Sequence, residues 1–447
     1  MLKFILPVLS LSLFLILPLP LKSSGIFPYA YKIEELENGL KVVSIPLPSP
    51  NIISYYTIVR SGSRNEVEPG KSGFAHFFEH IMFKGTKNIP RAAYEEFLTL
   101  LGAGTNGTTS DDFTCYFVVF AGRKNLPKVV ETEADRFINL TSDEEMLKTE
   151  APVIEGEYYA SVSNPGRRLD ELLRDTAFVS HSYKHTTLGY LRDILDMPNQ
   201  FEYSQLFKNR FYAPDNTILL VAGDFDHWRL MELVRKHYSS WERSNYTLVT
   251  PIEPPQTEAK RAHYEWPTPT LARLAIGFHG PAYSDVAIDQ AALDLLAEAA
   301  FSPSSPLYQR LVISEQKCLS LSADFESHRD PYLLTLNAVL QKDEDLPLVE
   351  DALWKEVERL KTEPFAPDLL ARIKSNLKYA LANQLGTTDG VAGVLSFYVN
   401  LATDPATLNR LYSFYEQVTP QDITAMARKY FVKTKSTVAT LGGGSAR

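Results

Sequence analysis

The sequence GFAHFFEHIMFKGT, at Gly73–Thr86, is the most informative segment of this 447-residue chain. If Phe74–Met82 is helical, the four-residue spacing places His76 and His80 on one face, one turn apart, with Glu79 beside them. Two neutral imidazoles suit zinc, and a carboxylate that does not bind the metal can act as a base. The pattern H-x-x-E-H is an inverted metalloprotease motif. It therefore predicts a catalytic zinc site.

The alternative interpretation of this segment is structural, because a histidine pair at helical spacing also occurs on solvated surfaces and in satisfied cores. The flanking side chains argue against a solvated surface, since they are large and apolar: Phe74, Phe77, Phe78, Ile81, Met82 and Phe83. They predict a buried helix, in which histidine and glutamate side chains need partners. A metal ion would be such a partner.

A catalytic zinc ion needs a third protein ligand. The candidates are the acidic residues of Glu150–Glu157, EAPVIEGE. The spacing alone does not choose among Glu150, Glu155 and Glu157. Without the histidine motif, the same segment would be interpreted as a solvated acidic helix that starts after Pro152.

The histidine motif, followed after 76 intervening residues by Glu157, resembles the pitrilysin-like inverzincin peptidases. The resemblance is to the short-chain branch, which includes the mitochondrial processing peptidase and its bacterial relatives. It covers most of the chain through further segments: NGL at Asn38–Leu40, RSGS at Arg60–Ser63, FYAPDN at Phe211–Asn216 and VTP at Val418–Pro420. The resemblance implies a zinc metalloendopeptidase with one Zn²⁺ per chain. It also implies that Glu157 is the third ligand and that Glu150 supports the site.

Gly102–Thr109 is rich in small residues and precedes the strand-like run Thr114–Phe120. Small side chains allow another backbone to approach closely, although an ordinary turn would have the same composition. The resemblance implies a strand edge here that accepts the substrate peptide by β-addition, with Asn106 contacting the main chain of the substrate.

A second metal site is not predicted, although His181 and His185 lie four residues apart. Their loop, His181–His185, contains no carboxylate that could complete a ligand set. Polar loops also collect histidines that bind no metal.

The first 25 residues are predicted to be a targeting segment. Lys3 precedes an apolar run from Phe4 to Leu21, and Ser23–Gly25 offers small residues for cleavage. Three prolines within the run argue against a stable spanning helix, although an uncleaved anchor stays an alternative. Export is therefore expected, to the periplasm if the source is bacterial.

The rest of the chain is long enough for two domains. The predictions are a zinc-binding peptidase domain at 31–244, a proline-rich linker at 250–261 and an inactive homologous domain at 263–441. The second domain repeats the order strand, loop and helix, but its helix contains LLAEAA at Leu295–Ala300 and no histidine. The resemblance implies an α+β fold of two homologous α/β domains. Each is a mainly antiparallel sheet covered by helices, and together they form half of a clamshell chamber.

Net charge and cysteine content bear on the partners and on the covalent framework of the chain. The net charge of -9 argues weakly against nucleic acid as a partner. Cys115 and Cys318 lie far apart in apolar, strand-like contexts, which predicts two buried free thiols rather than a disulfide.

One departure from the family pattern concerns the second domain. Relatives with a complete site carry an Arg there and a Tyr seven residues later, which orient the substrate and stabilise the transition state. The aligned positions hold Val312 and Leu319, and Arg310 lies two residues early. Apolar side chains cannot donate hydrogen bonds to an oxyanion. The resemblance therefore implies a second homologous chain that supplies the pair, which makes this chain the metal-bearing subunit of a heterodimer. The alternative is a non-catalytic peptide-binding or scaffold subunit.

Overall fold

The computed structural model describes residues 25–443. The predicted targeting segment, apart from Gly25, therefore lies outside the described residues. Within the part that is described, no helix is long and apolar enough to cross a membrane.

The first half of the chain forms a six-stranded sheet with the order β1-β2-β6-β3-β5-β4. All neighbouring strands are antiparallel except β2 and β6, which are parallel. The strands are β1 (Lys32–Glu35), β2 (Lys41–Pro46), β3 (Ile52–Val59), β4 (Gly104–Thr109), β5 (Thr114–Ala121) and β6 (Thr217–Gly223). The helices are α1 (Phe74–Ile81), α2 (Arg91–Leu101), α3 (Leu126–Ile138), α4 (Glu144–Val162), α5 (Pro165–Ala177), α6 (Leu191–Asp196), α7 (Phe201–Phe211) and α8 (His227–Tyr238).

The second half forms a five-stranded sheet with the order β7-β11-β8-β10-β9. Here β7 and β11 are the parallel pair. The strands are β7 (Lys260–Trp266), β8 (Arg273–His279), β9 (Cys318–Asp324), β10 (Leu333–Leu340) and β11 (Ser436–Gly443). The helices are α9 (Asp289–Phe301), α10 (Pro306–Tyr308), α11 (Leu346–Thr362), α12 (Pro367–Gln384), α13 (Thr388–Ala402), α14 (Ala406–Gln417) and α15 (Pro420–Tyr430).

The two halves share one topology. Leaving out β1, the first sheet has the order β2-β6-β3-β5-β4, and each pairing has the same direction as its counterpart in β7-β11-β8-β10-β9. The predicted fold class, two homologous α/β halves with mainly antiparallel sheets covered by helices, is confirmed. The start of β7 at Lys260 lies inside the predicted 250–261 linker, because this strand pairs with β11 from its first residue.

Each half also contributes one helix to the other half. Helix α5 packs on the second sheet, where Leu169 and Leu173 meet Ala275 and Ala439 in one buried cluster. Helix α13 packs on the first sheet, where its buried Leu395 belongs to a cluster with residues of β2, β3 and β6. The halves are thus joined by buried apolar contacts as well as by the chain connection.

Two local structures differ from simple sequence interpretations. The acidic segment does not start a helix after Pro152, because α4 already begins at Glu144, where Asp143 accepts a hydrogen bond from the backbone N–H of Met146. The small-residue segment is not a turn, because Gly104–Thr109 pairs with β5 as the edge strand β4. Cys115 and Cys318 are buried and unpaired.

Candidate metal centre and active site

Helix α1 is held at its N-terminus by a buried carboxylate. Gly73 precedes the helix with φ of +93°, in the left-handed region that glycine adopts without strain. The two carboxylate oxygens of Glu66 accept hydrogen bonds from the backbone N–H groups of Gly73 and Ala75, both at 2.7 Å. Burial raises the pKa of Glu66 to about 8, although these two hydrogen bonds act in the opposite direction. The helix is therefore fixed in position at its first turn.

The structure brings His76, His80 and Glu157 together. Glu157 Oε2 lies 3.4 Å from Nε2 of His76 and 3.4 Å from Nε2 of His80. One ligand atom from each of the three residues lies within 4.8 Å of the other two. Among the sequence candidates Glu150, Glu155 and Glu157, Glu157 is the one whose carboxylate lies near Nε2 of both histidines.

These three side chains fit a zinc ion. Ligand atoms about 2.1 Å from a tetrahedral zinc ion lie about 3.4 Å from each other, which is the separation observed for both histidine–carboxylate pairs. Burial and the neighbouring His80 lower the pKa of His76 to about 4, so its imidazole is neutral at pH 7, as a metal ligand must be. A donor set of two imidazoles and one carboxylate is also typical of catalytic zinc.

Glu150 lies on the same face of α4 as Glu157, two turns earlier, and is buried. Its Oε2 lies 3.5 Å from Nδ1 of His80, and its Oε1 lies 2.6 Å from Nζ of Lys84. Glu150 is therefore placed to orient the imidazole of His80 rather than to join the cluster. Lys84, which sequence reasoning missed, lies one helical turn beyond His80 in the sequence.

Glu79 points from α1 towards β4. Its Oε2 accepts a hydrogen bond of 2.6 Å from the hydroxyl of Thr109. Burial raises the pKa of Glu79, while the Thr109 hydrogen bond acts in the opposite direction. Gly107 leaves room for this side chain, because a Cβ there would lie 3.1 Å from Cγ of Glu79. Thr109 was also missed from the sequence, since only the pairing of β4 brings it to the helix.

Asn106 is exposed on β4, the edge strand of the first sheet. Among residues 25–443, β4 pairs only with β5, so its outer edge presents unpaired backbone groups to which an extended peptide can add.

The second half offers no replacement at the Arg and Tyr positions. Val312 lies in a π-helical turn, Gln309–Ser314, and packs against the apolar core of the second half. Leu319 is exposed on the edge strand β9. Arg310 lies 3.8 Å from Glu315 at an exposed position.

The two loop histidines have other neighbours. His181 Nε2 lies 3.0 Å from a carboxylate oxygen of Asp330 in the second half. His185 is buried beside Glu66, with its Nδ1 3.8 Å from the carboxylate that holds α1.

Comparisons with known proteins agree with the fold. A sequence profile described as "Insulinase (Peptidase family M16)" matches residues 41–190, and one described as "Peptidase M16 inactive domain" matches residues 202–377. The "Zinc protease PqqE" of Helicobacter pylori is 30% identical over an alignment of 432 residues that covers 91% of this chain and 91% of the relative. The chain belongs to peptidase family M16. The pitrilysin-like resemblance predicted from the sequence is thereby confirmed.

Other M16 relatives differ in what their names describe. "Cytochrome b-c1 complex subunit 1, mitochondrial" of Rattus norvegicus is 26% identical over 425 residues, covering 92% of this chain and 86% of the relative. "The crystal structure of a protease from Helicobacter pylori" superposes with a TM-score of 0.86 at 29% identity, covering 93% of this chain and 99% of that one. Membership of the family therefore does not by itself establish peptidase activity.

Proposed function

We propose that this chain is a zinc metalloendopeptidase that hydrolyses peptides or short unfolded polypeptides inside a closed chamber. The observation that carries the proposal is the convergence of His76, His80 and Glu157, with Glu157 3.4 Å from each imidazole and the half-buried carboxylate of Glu79 on the same helix as the histidines. Relatives that are named zinc proteases support it.

The residue roles follow from position and chemistry. His76, His80 and Glu157 hold one Zn²⁺, which when bound supplies Lewis-acid activation of water and of the scissile carbonyl. Glu79 takes a proton from the attacking water and later delivers it to the leaving amine. Glu150 orients His80 through Nδ1.

The substrate is proposed to lie along the outer edge of β4. An extended peptide that pairs with this edge makes main-chain hydrogen bonds, which position it without regard to its side chains. Asn106 contacts its main chain from the same strand. Because Thr109 of β4 donates to Glu79, the edge that binds the peptide and the base that acts on it are joined directly.

The Glu79→Gln variant tests this function. Glutamine keeps the shape and the contact with Thr109 but cannot take a proton, so zinc content should be unchanged while hydrolysis of a quenched peptide mixture, measured together with a homologous partner chain, falls by at least about 10³-fold. Glu155→Gln, on α4 outside the cluster, is the matched control and should stay active. Hydrolysis by Glu79→Gln at the wild-type rate would remove Glu79 from this role.

We further propose that the chain is the metal-bearing subunit of a heterodimer, with a homologous partner that carries the Arg and Tyr. Val312 and Leu319 motivate this, because neither can donate a hydrogen bond to the developing oxyanion. Activity should therefore appear only when the partner is added. Full activity of the purified chain as a monomer or homodimer would contradict the proposal.

A second candidate function is a non-catalytic peptide-binding or scaffold subunit. It is favoured by Val312 and Leu319 and by the relative named as a subunit of the cytochrome b-c1 complex. The intact donor set opposes it. A chain that binds no zinc and shows no hydrolysis with any partner would support the scaffold.

We also propose that residues 1–25 direct export, to the periplasm if the source is bacterial. N-terminal sequencing of the protein from fractionated cells distinguishes cleavage from a retained anchor. An intact N-terminus in the cytosolic fraction would contradict export.

A further inference from the structure

A cavity of about 720 Å³ lies next to the candidate active site. Thr109, which donates to Glu79, lines one side of it, and so does Tyr158, the residue after Glu157. The opposite walls are α5 and the face of the second sheet on which α5 packs. A peptide held at β4 can therefore extend into this cavity, whose volume is in the usual range for a ligand site.

The floor of the cavity is a mostly polar face of the second sheet. The strand register places residues of β8, β10 and β9 side by side in rows, and alternation along each strand keeps the rows on one face. The first row holds Arg273, Val339 and Ser320, the second holds Ala275, Asn337 and Ser322, and the third holds Gly277, Thr335 and Asp324. One end of the floor is therefore cationic and the opposite end anionic.

Arg273, at the cationic end, has no acidic partner within residues 25–443. Its Nε is buried and makes no hydrogen bond in that part of the chain. Burial lowers the pKa of this guanidinium, and no neighbouring carboxylate acts in the opposite direction. A partly buried cation without a counter-charge is costly, so the position favours an anion from outside the chain.

A second arginine, Arg167, lines the same cavity. A Cβ on Gly166 would lie 3.7 Å from Nη1 of Arg273, so the guanidinium rests against the first turn of α5. Arg167 follows Gly166 and forms no ion pair among the described residues, although its charge acts against the burial that raises the pKa of the nearby Asp170. The N-terminal end of a helix is itself electropositive, which adds to the attraction for an anion.

The carboxylates that line the cavity form no ion pair with Arg273 or Arg167 within residues 25–443, and two of them, Asp112 and Glu326, lie beside His328. Asp111 lies 2.7 Å from Arg174, and Asp170 approaches the same guanidinium at 4.0 Å. Glu171 pairs with Arg168. Asp324 is four residues along β9 from the row of Arg273 and two strands across, which places its Cα about 16 Å away.

We propose that Arg273, together with Arg167, forms a carboxylate-binding subsite that anchors the peptide in the cavity. The ligand is the peptide's C-terminal carboxylate or an acidic side chain, because a guanidinium fork matches the two oxygens of either group. This proposal rests on the proposed peptidase function and gives it a substrate class. The substrates are peptides that carry a carboxylate some residues away from the bond that is cleaved.

Peptide binding to the full chain carrying Glu79→Gln tests the subsite without turnover. The probes are three octapeptides with a neutral coumarin at the N-terminus: one without Asp or Glu and with a free C-terminus, its C-terminal amide, and an amide with one internal Glu. Fluorescence anisotropy should show that at least one carboxylate peptide binds about tenfold more tightly than the plain amide. The peptide that does so identifies the source of the carboxylate.

Adding Arg273→Met should lower the affinity for the preferred peptide to that for the plain amide and leave the affinity for the plain amide unchanged. Arg167→Met should weaken the same preference, which provides a second variant if Arg273→Met unfolds in a thermal melt. Arg372→Met is the matched control, because Arg372 is exposed on α12 outside the cavity and should leave the preference intact. Equal affinities for all three peptides, no binding of any of them, or a preference that survives both Arg273→Met and Arg167→Met would overturn the proposal.

The subsite and the peptidase function can fail separately. Preference for a carboxylate peptide without hydrolysis by the wild-type chain, alone or with its partner, would keep the subsite and remove the peptidase. Hydrolysis by the wild-type chain, with the three peptides binding equally to Glu79→Gln, would keep the peptidase and remove the subsite.

Discussion

We propose that Glu150 orients the imidazole of His80. Its carboxylate lies between Nδ1 of His80 and the ammonium group of Lys84. Carboxylates that orient a ligating histidine typically affect metal affinity by about 10- to 100-fold. Glu150→Gln should therefore weaken zinc binding by that factor, measured by competition with a chromophoric chelator. Glu155→Gln should not, and equal affinities for the two variants would contradict a role for Glu150.

Thr109 sets the position of the carboxylate of Glu79. Thr109→Val removes the hydroxyl but keeps the shape, so Glu79 loses a hydrogen bond that lowers its pKa. A hydrogen bond to a charged group is worth about 1.5–3 kcal/mol. We expect kcat to fall about 10- to 100-fold with little change in KM and with zinc retained. The exposed Thr108→Val on the same strand is the control, and an unchanged kcat for Thr109→Val would contradict this role.

The residues of the site differ in how far the sequence could predict them. His76, Glu79 and His80 could be predicted from helical spacing, because they lie in one turn of one helix. Glu157 could be chosen from the acidic candidates only through the family resemblance. Thr109 and Arg273 could not be found, because their positions depend on β4 pairing with β5 and on α5 packing against the second sheet.

At the scale of elements, the entry into α1 depends on Gly73. Its φ of +93° is unfavourable for other residues, and a Cβ would lie 2.8 Å from the carbonyl oxygen of Leu188. Gly73→Ala should therefore lower the free energy of unfolding by about 2 kcal/mol or more and weaken zinc binding. Thermal melts and chelator competition measure the two effects.

Gly70→Ala separates the cost of a positive φ from the cost of the close approach of Leu188. Gly70 also has a positive φ, of +78°, but a Cβ there would meet nothing within 4 Å. This control should cost only about 1 kcal/mol and leave zinc affinity unchanged. Equal effects of the two substitutions would show that the close approach of Leu188 has no role.

Sequence patterns predicted elements with strong apolar character better than elements that depend on pairing. Helix α1, predicted over Phe74–Met82, spans Phe74–Ile81. The prediction is close because large apolar side chains follow the segment from its start to its end. The edge strand β4 is poor in large apolar residues, so its composition fits a turn equally well, and only its ladder with β5 makes it a strand.

At the scale of the whole molecule, the two halves should unfold together. Helices α5 and α13 each cover the sheet of the other half, so neither half keeps its buried surface alone. Calorimetry of the zinc-free chain should show one transition, with equal calorimetric and van't Hoff enthalpies. Leu395→Ala, in the fully buried contact of α13, should lower this transition as a whole by about 2–5 kcal/mol. Two resolved transitions would contradict this coupling.

The sequence predicted two homologous halves but not this exchange of helices. The repeat is local and visible as the order strand, loop and helix in each half. Which sheet a helix covers depends on the path of the chain between domains, and the apolar face of Leu169 and Leu173 does not specify its partner.

Zinc content, measured by mass spectrometry after dialysis, tests the central claim most directly. The wild-type chain should retain about one zinc ion, and Glu157→Gln should retain far less at the same free zinc concentration, because a tetrahedral site loses its third protein ligand. Glu155→Gln should match the wild type. A wild-type chain without zinc, or a Glu157→Gln variant that binds zinc as tightly as the wild type, would contradict the metal centre proposed for His76, His80 and Glu157.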